Sequence, residues 1–414
     1  MKILIISQYF WPENFRINDF VPELISRGHE VQILTGKPNY PSGKMFPEYI
    51  QNPSFYSSYQ GATIHRVPIV SRGSHSARLL LNYLSFIISG SIIGSWKLRK
   101  FQPDLIFVYE PSPITVGLPA ALLGKLKNVP IVFWALDLWP ETLEAVGGIK
   151  SKTVLWIVEK VVRFIYNSCS IVLGQSKSFI KSIQTHCNYP ERVHYFPSWA
   201  EAFPKFSDDQ PIDFAPEINL DKESYNILFA GNIADAQDMP SILRAANILR
   251  NDKNIKWIIV GDGRRFEWLK SEVKRLELEK NILLLGRFPL ERMPSFFAHA
   301  DALLVSLKKD PVFSMTIPAK LQTYLMTGIP ILGMLDGEGA KIIEESNAGL
   351  CCEASDPIGL AEAAKKMSKM SKSHSQMLGQ NGIKYSNKEF DRTSLMNKLE
   401  RFFITAIQQH RDST

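Results

Sequence analysis

A chain of 414 residues is too long for one ordinary hydrophobic core, so two domains are expected. Its 45% hydrophobic and 21% charged residues are those of a soluble globular protein. The net charge of +7 is uneven: residues 1–200 hold 20 Lys/Arg and 12 Asp/Glu, giving +8, whereas the remainder holds 28 and 29, giving −1. No aromatic-and-basic RNA motif accompanies that charge, which argues against nucleic acid as a partner.

Lys2 is followed by Ile3-Leu4-Ile5-Ile6 before Ser7. That apolar run is too short for a signal-peptide core and has the length of a first strand. Further strands are expected at Val31–Thr35, Thr63–Val67, Leu105–Tyr109, Ile131–Trp134, Ser170–Gly174 and Val193–Phe196. Helices fit between them, notably Ile17–Arg27, Pro113–Leu126 and Thr153–Asn167. From Tyr49 to Pro103 there is no acid, yet Arg66, Arg72, Arg78, Lys97, Arg99 and Lys100 fall there. The same stretch contains the apolar run Leu79–Ile93. Fifteen residues are too few to span a bilayer, which needs about 20. They suit a helix in the membrane interface, with Arg72, Arg78, Arg99 and Lys100 meeting anionic lipid. The competing reading is a core helix with Asn82, Ser85 and Ser89 as a small polar stripe.

Residues 201–223, with Pro204, Pro211 and Pro216 among acids, read as a linker between a first domain (1–200) and a second (224–388). The second half restarts the alternation at Tyr225, with helices expected at Met239–Arg250, Phe266–Leu276, Met293–His299 and Pro318–Thr327. Its strands form a ladder: Ile-Leu-Phe-Ala-Gly-Asn at 227–232, Ile-Ile-Val-Gly-Asp-Gly at 258–263, Ile-Leu-Leu-Leu-Gly-Arg at 282–287 and Ala-Leu-Leu-Val-Ser-Leu at 302–307. Such runs predict a parallel sheet whose strand ends open on one ligand-holding edge. The amphipathic segment Thr393–Gln408, within a C-terminal helix at 389–414, has no following strand and is expected to pack back on the first domain.

Gly261-Asp262-Gly263 alone carries little weight, because any strand-ending turn favours glycine. Its context adds weight: Gly231-Asn232, Gly286-Arg287 and Pro318-Ala319-Lys320 belong to the same edge. A lysine early in a helix opposes the helix dipole if it serves structure alone, so Lys320 points to phosphate binding. The four cysteines, Cys169, Cys187, Cys351 and Cys352, have no metal-ligand spacing and read as reduced thiols. Asp262 has no partner at a divalent-ligand spacing, so no metal site is expected.

The motifs together resemble a known family. They are Tyr9-Phe10-Trp11-Pro12-Glu13-Asn14-Phe15-Arg16, Arg27-Gly28-His29-Glu30-Val31, Leu34-Thr35-Gly36-Lys37-Pro38-Asn39-Tyr40-Pro41, Glu110-Pro111-Ser112-Pro113 and Asp137-Leu138-Trp139-Pro140-Glu141 in the first half. In the second they are Gly231-Asn232-Ile233, Gln237, the Gly-Asp-Gly turn and Ile317-Pro318-Ala319-Lys320. The chain resembles a GT-B-fold retaining glycosyltransferase of family 4 over nearly its whole length. It is most similar to the L-fucosamine and fucose-type transferases of bacterial O-antigen, capsule and colanic-acid biosynthesis.

That resemblance implies an α/β fold of two doubly wound Rossmann-like domains facing across a cleft. It also implies a nucleotide-sugar donor (UDP-sugar before GDP-sugar), no cofactor, a polyprenyl-diphosphate-linked saccharide acceptor, and a peripheral site on the cytoplasmic membrane face. The family's two donor-side glutamates fall at Met315 and Thr323, and its phosphate-binding Arg and Lys near Asn232 and Gln237. Lys320 is the natural replacement for the lost charge, helped by Arg264 or Arg16. Gly231, Gly261, Gly263 and the Ala319 N–H then border the donor, and Arg287 and Phe288 border its base. Asp137 and Glu110 end first-domain strands and can orient hydroxyls or act as a base, with helix capping as the competing reading. Arg16, with Asn14 beside it, lies in the first strand-to-helix loop and suits a phosphate contact or a surface ion pair. Two alternatives stay open: a nucleotide-sugar 2-epimerase of the same fold, against which the acid-free stretch argues, or a non-catalytic nucleotide-sugar-binding scaffold, which the missing carboxylates motivate.

Overall fold

The computed structural model describes residues 1–73, 76–145, 149, 151–200, 215–218 and 223–412. The expected linker at 201–223 therefore lies largely outside the described residues. The chain divides into two compact units, one of Met1–Phe196 with Met396–Thr414 and one of Pro197–Leu395.

The first unit is built on eight strands: β1 (Lys2–Ile6), β2 (Glu30–Gly36), β3 (Ser58–Tyr59), β4 (Ala62–Val67), β5 (Leu105–Glu110), β6 (Ile131–Ala135), β7 (Ile171–Gly174) and β8 (Val193–Tyr195). Their order is β3-β4-β2-β1-β5-β6-β7-β8. All pairs are parallel except the short β3 against β4. Every residue of β5, β6 and β7 is buried, which is why these strands read as unbroken apolar runs rather than alternating ones. The chain steps from β1 to β2 in one direction and from β5 through β8 in the other. Right-handed crossovers then put their helices on opposite faces. On one face Phe20, from the helix Ile17–Ser26, and Phe403, from the C-terminal helix Arg392–Asp412, both meet Phe107 at 5.3 Å. On the other, Phe133 meets Tyr166 of the helix Lys152–Asn167 at 5.7 Å.

The expected helix at Pro113–Leu126 starts as a 3-10 turn, Ile114–Val116, and becomes α-helical over Gly117–Lys127. The glycine at that junction is needed, because a Cβ there would stand 2.3 Å from Ile165 Cγ2. The apolar run at Leu79–Ile93 lies in a longer rod: helix Ser76–Ser89, a π turn at Gly90–Gly94 and helix Ser95–Lys97.

The second unit holds β9 (Tyr225–Ala230), β10 (Ile255–Val260), β11 (Ile282–Gly286), β12 (Ala302–Ser306), β13 (Ile331–Met334) and β14 (Gly349–Cys352). All are parallel, in the order β11-β10-β9-β12-β13-β14. Phe229, Trp257, Leu269, Leu304 and Leu360 lie in its buried core. The chain moves outward from β9 in one direction and from β12 in the other. That makes the C-terminal ends of β9 and β12 a topological switch point, where an open α/β sheet leaves a crevice. The first unit has the equivalent point between β1 and β5.

Candidate active site

In the second unit three strand-end loops are stitched together. Gly231 N–H donates to the Val260 carbonyl at 2.9 Å, Ile233 N–H to Asp262 O at 2.8 Å, and Gly261 N–H to Gly286 O at 2.7 Å. Gly261 has φ +144°, and a Cβ there would stand 1.9 Å from Gly231 O. At Gly263 a Cβ would stand 2.3 Å from Ile233 O and 2.5 Å from Asn232 Oδ1. These two glycines therefore serve the approach of one loop to another. Gly231 differs: its missing Cβ would face the Lys320 ammonium at 3.3 Å.

Lys320 sits in the helix Ala319–Leu325. Its neighbour one turn on, Tyr324, fixes the end of β9, accepting from Ala230 N–H at 2.9 Å and donating to Ala230 O at 3.1 Å. Lys320 Nζ lies 3.6 Å from the centre of the Phe229 ring. That nitrogen is buried and has no hydrogen-bond partner. The residue as a whole is half-buried, but its nitrogen is covered, and the nitrogen decides the chemistry. Burial brings its pKa down to about 7. Gln237, in the loop after β9, has a second buried polar atom without a partner, its Oε1. The backbone there is pinned by Ser306 Oγ at the end of β12, which donates to Gln237 O at 2.8 Å. A donor and an acceptor thus stand unused at one switch point, where buried polar groups are ordinarily paired.

The other expected donor-side residues differ in exposure. Asn232, Arg264, Arg287 and Ala319 are exposed, and Thr323 is buried. Phe288 packs edge-on against Phe296 at 4.8 Å and beneath Arg292, so its ring is engaged in packing. Phe229 and Tyr324 were not singled out in the sequence; the spacing of Tyr324 four residues after Lys320 is the signal that marks it.

In the first unit, Glu110 ends β5 fully buried. Its Oε2 accepts from Asp137 N–H at 3.3 Å, while its Oε1 has no partner. Burial, with the Asp137 charge adding to it, pushes its pKa well above the carboxylate range. Asp137 accepts from Leu138 N–H at 2.9 Å, Thr142 Oγ1 at 2.6 Å and Trp139 Nε1 at 3.1 Å. None of these donors is a backbone N–H of the following helix Glu141–Ala145, so the bonds to Asp137 hold the loop before that helix and are not a helix cap. Burial raises its pKa too, opposed by these donors and by the Ser112 side chain. Tyr83 is close enough to feel Glu110 and Asp137, bonds Ser112, and meets the Trp139 ring at 6.1 Å.

Arg72 corrects the sequence reading. It is not a lipid-facing cation: Nη1 donates to Tyr9 Oη at 3.1 Å and the guanidinium lies 5.3 Å from the centre of the Tyr40 ring. Its charge also acts on Tyr83. The backbone explains the inward turn. Arg72 N–H donates to Asn39 Oδ1 at 2.8 Å, and Gly43, at φ +74°, lies so close that a Cβ would stand 1.9 Å from Arg72 O. Arg66, from the same acid-free stretch, is also buried and donates to Gly36 O at 3.0 Å and to Trp11 O. Arg78, Arg99 and Lys100 are exposed as expected, with Arg99 over the Trp96 ring at 4.3 Å.

Glu13 was not singled out. It is buried and accepts from Phe10 N–H at 3.1 Å, Asn39 N–H at 2.8 Å and Tyr40 N–H at 2.7 Å, so it ties the loop after β1 to that after β2. Arg16 lies near Tyr109, whose hydroxyl feels its charge, and Asn14 is exposed. Among the described residues no group of three His, Cys, Asp or Glu side chains is placed to hold a metal ion.

Comparison with known proteins assigns the chemistry. Residues 14–199 match the family described as glycosyl transferase 4-like domain, and residues 212–385 match glycosyl transferases group 1. The chain is a glycosyltransferase of the GT-B fold. It is similar to the probable glycosyltransferase WbjE of Pseudomonas aeruginosa, at 27% identity over 70% of this chain and 72% of that one. It is also similar to the putative colanic acid biosynthesis glycosyl transferase WcaI of Escherichia coli K12, at 25% identity over 79% and 82%. Among solved structures, Anabaena Alr3699/HepE in complex with UDP shares the fold at a TM-score of 0.70 and 12% identity, covering 98% of this chain and all of that one. WaaG, a glycosyltransferase involved in lipopolysaccharide biosynthesis, does so at 0.65 and 15%, covering 96% and 98%. The glycosyltransferase assignment disfavours the epimerase and scaffold alternatives.

Proposed function

We propose that this glycosyltransferase moves a sugar from a nucleotide donor to a polyprenyl-diphosphate-linked saccharide in bacterial surface-polysaccharide assembly. The observation that carries the donor side is the buried, unpartnered ammonium of Lys320 at the switch point of the second unit. An amine in that state gains most from an anion that brings its own negative charge, as a nucleoside diphosphate does. The complex of HepE with UDP and the names of WbjE and WcaI support the same reading. UDP-N-acetyl-L-fucosamine is the donor we favour from the sequence resemblance, with a GDP-sugar as the second choice.

In the reaction, the bond between the sugar C1 and the donor phosphate oxygen breaks, and a bond from the acceptor hydroxyl oxygen to C1 forms. In the retaining course we favour, both events occur on one face. The hydroxyl proton passes to the departing diphosphate, whose charge Lys320 and the N–H groups near Gly231 and Ala319 stabilise. Asp137 orients the acceptor hydroxyl. Glu110, whose burial and Asp137 neighbour favour the neutral carboxyl, keeps a free Oε1 that can meet a sugar hydroxyl. Arg72, with no carboxylate partner among the described residues, suits a phosphate of the acceptor.

We assign the membrane contact to the rod Ala77–Lys97. It is long and apolar enough to cross a bilayer, but its Asn82, Tyr83, Phe86, Gly90 and Gly94 are buried in the first unit. It therefore lies along the surface, its outer face carrying Leu80, Leu84, Ile88, Ile92 and Trp96 at intervals of four. Its inner face carries Tyr83 to Glu110 and Asp137, so one rod serves both lipid and acceptor site, on the cytoplasmic face of the membrane.

The test is a mass-spectrometric transfer assay with polyprenyl-diphosphate N-acetylglucosamine and a panel of UDP- and GDP-sugars. A mass gain with one donor supports the reading and names the sugar. Nucleotide binding without transfer to this or any extracted lipid acceptor would remove it.

A further inference from the structure

The apolar surface of the first unit does not end with that rod. The helix Gly117–Lys127 packs beside it and beside the helix Lys152–Asn167. Two glycines make the fit close. A Cβ on Gly90 of the rod would stand 3.2 Å from Pro119 Cγ, and one on Gly117 would stand 2.3 Å from Ile165 Cγ2. The same-direction crossovers put these helices on one face of the sheet, so their outer sides point the same way.

Those outer sides match. On Lys152–Asn167 the exposed positions include Trp156, Ile157, Lys160 and Phe164, spaced as one helical face. Trp156 is 58% exposed and Phe164 56%, comparable with Ile88 at 60% and Trp96 at 63% on the rod. The middle helix adds Leu122, Lys125 and Leu126. Exposed apolar side chains on three packed helices, rimmed by polar residues, mark an interaction site.

The charges choose the occupant. Lys97, Arg99, Lys100, Lys125, Lys152 and Lys160 rim the patch as exposed bases. Glu159, the single acid of the third helix, is bonded by Arg163 at 3.0 Å. Asp104, between the first two helices, is taken by the Lys2 backbone N–H at 2.7 Å. Lys160 Nζ rests 5.6 Å from the centre of the Trp156 ring, leaving the cation beside the apolar wedge with no carboxylate partner among the described residues. Aromatic and aliphatic side chains interleaved with unneutralised bases are complementary to an anionic bilayer, whose headgroups meet the cations while its acyl boundary takes the rings. A second copy of this basic face would instead meet like charge.

We infer that the three helices form a single lipid-binding platform, with Lys152–Asn167 as a second insertion element that holds the first unit flat on an anionic membrane. The inference rests on the membrane reading above and extends it from one helix to three. A rod alone permits rolling about its own axis; a second, separated apolar ridge fixes the tilt of the sheet edge that carries Glu110 and Asp137.

Vesicle flotation with the full chain tests it, using phosphatidylcholine with and without phosphatidylglycerol. Two variants are compared: Leu84→Ser/Ile88→Ser/Ile92→Ser in the rod, and Trp156→Ser/Ile157→Ser/Phe164→Ser in the second helix. All six positions have outward-facing or partly exposed side chains, and unchanged thermal unfolding checks that each variant folds. The platform predicts binding that needs the anionic lipid, and a loss of affinity of about tenfold or more in each variant. It also predicts that brominated-lipid quenching of tryptophan fluorescence drops in Trp156→Phe. Loss in the rod variant alone, with Trp156 unquenched, would overturn the platform and leave the one-helix reading standing. A wild type that ignores both vesicle types would remove both. Concentration-dependent dimers dissolved by the Trp156 variant would assign the face to a second copy.

Discussion

Lys320 holds its ammonium 3.6 Å from the centre of the Phe229 ring, and that nitrogen makes no hydrogen bond. An aromatic face attracts a cation but offers no lone pair to replace lost water. The folded protein therefore carries an amine at about pH 7 that the unfolded chain carries near 10.5. The unfolded state binds the extra proton across that window, so this site's contribution to stability rises as pH rises through it and is most unfavourable below pH 7. Lys320→Met is expected to raise the melting temperature of the ligand-free protein below pH 7, by an amount that shrinks toward pH 10.5, while reducing transfer at least ~100-fold. Calorimetric melts across pH, paired with the transfer assay, check both halves.

Glu110 and Asp137 are predicted to respond oppositely to amide substitution. Glu110→Gln is expected to retain most activity, since it reproduces in shape the neutral form of Glu110 that burial and the Asp137 charge favour. Because its folded pKa lies above 4.5, the folded state keeps a proton the unfolded chain releases, and stability falls as pH rises through that interval. Glu110→Gln flattens that fall. Asp137→Asn removes the carboxylate proposed to orient the acceptor hydroxyl and is expected to lower kcat by roughly 100-fold. Steady-state kinetics and pH-dependent unfolding of the two variants read this out.

A variant at Arg72 is predicted to separate the proposed acceptor binding from the proposed membrane binding. Arg72→Gln is expected to raise KM for a lipid-diphosphate acceptor about tenfold, the scale of one charge-assisted contact. Vesicle affinity should stay unchanged, since the guanidinium faces Tyr9 and Tyr40. Reversing Arg78, Arg99 and Lys100 to Glu should do the converse, weakening vesicle binding in a salt-dependent way.

Gly261→Ala is expected to destabilise the protein by several kcal/mol with no donor present, because its Cβ would collide with Gly231 O and its φ of +144° is strained for any other residue. Thermal unfolding without ligand measures it. A variant stable when empty and impaired only in donor binding would return Gly261 to a nucleotide-facing role.

Much of this architecture is legible in the chain itself. The buried strands β5, β6, β10 and β12 declare themselves as short runs of Ile, Leu, Val and Phe, since a parallel strand covered on both faces has no polar side. β3 escapes notice because two residues carry no periodicity. Lys320 is legible because a cation at a helix start is anomalous. Arg72 is not, because its inward turn is fixed by Asn39, 33 residues away, and by Tyr9, 63 residues away. The reason for Gly261 and Gly263 is likewise non-local, lying in the loop after β9. In the run Leu79–Ile93 apolar residues occupy both faces, so periodicity alone does not say which face is covered; the close approach of Gly90 and Gly94 to Pro119 and Leu34 decides it.

The central claim is that Lys320 waits for the donor's diphosphate. Isothermal titration of UDP and of uridine, in buffers of different ionisation enthalpy above pH 7, tests it most directly. The account predicts that UDP binds far more tightly than uridine and takes up a proton as the ammonium is restored, and that Lys320→Met loses both the preference and the uptake. Equal proton uptake and UDP affinity in wild type and variant would contradict it.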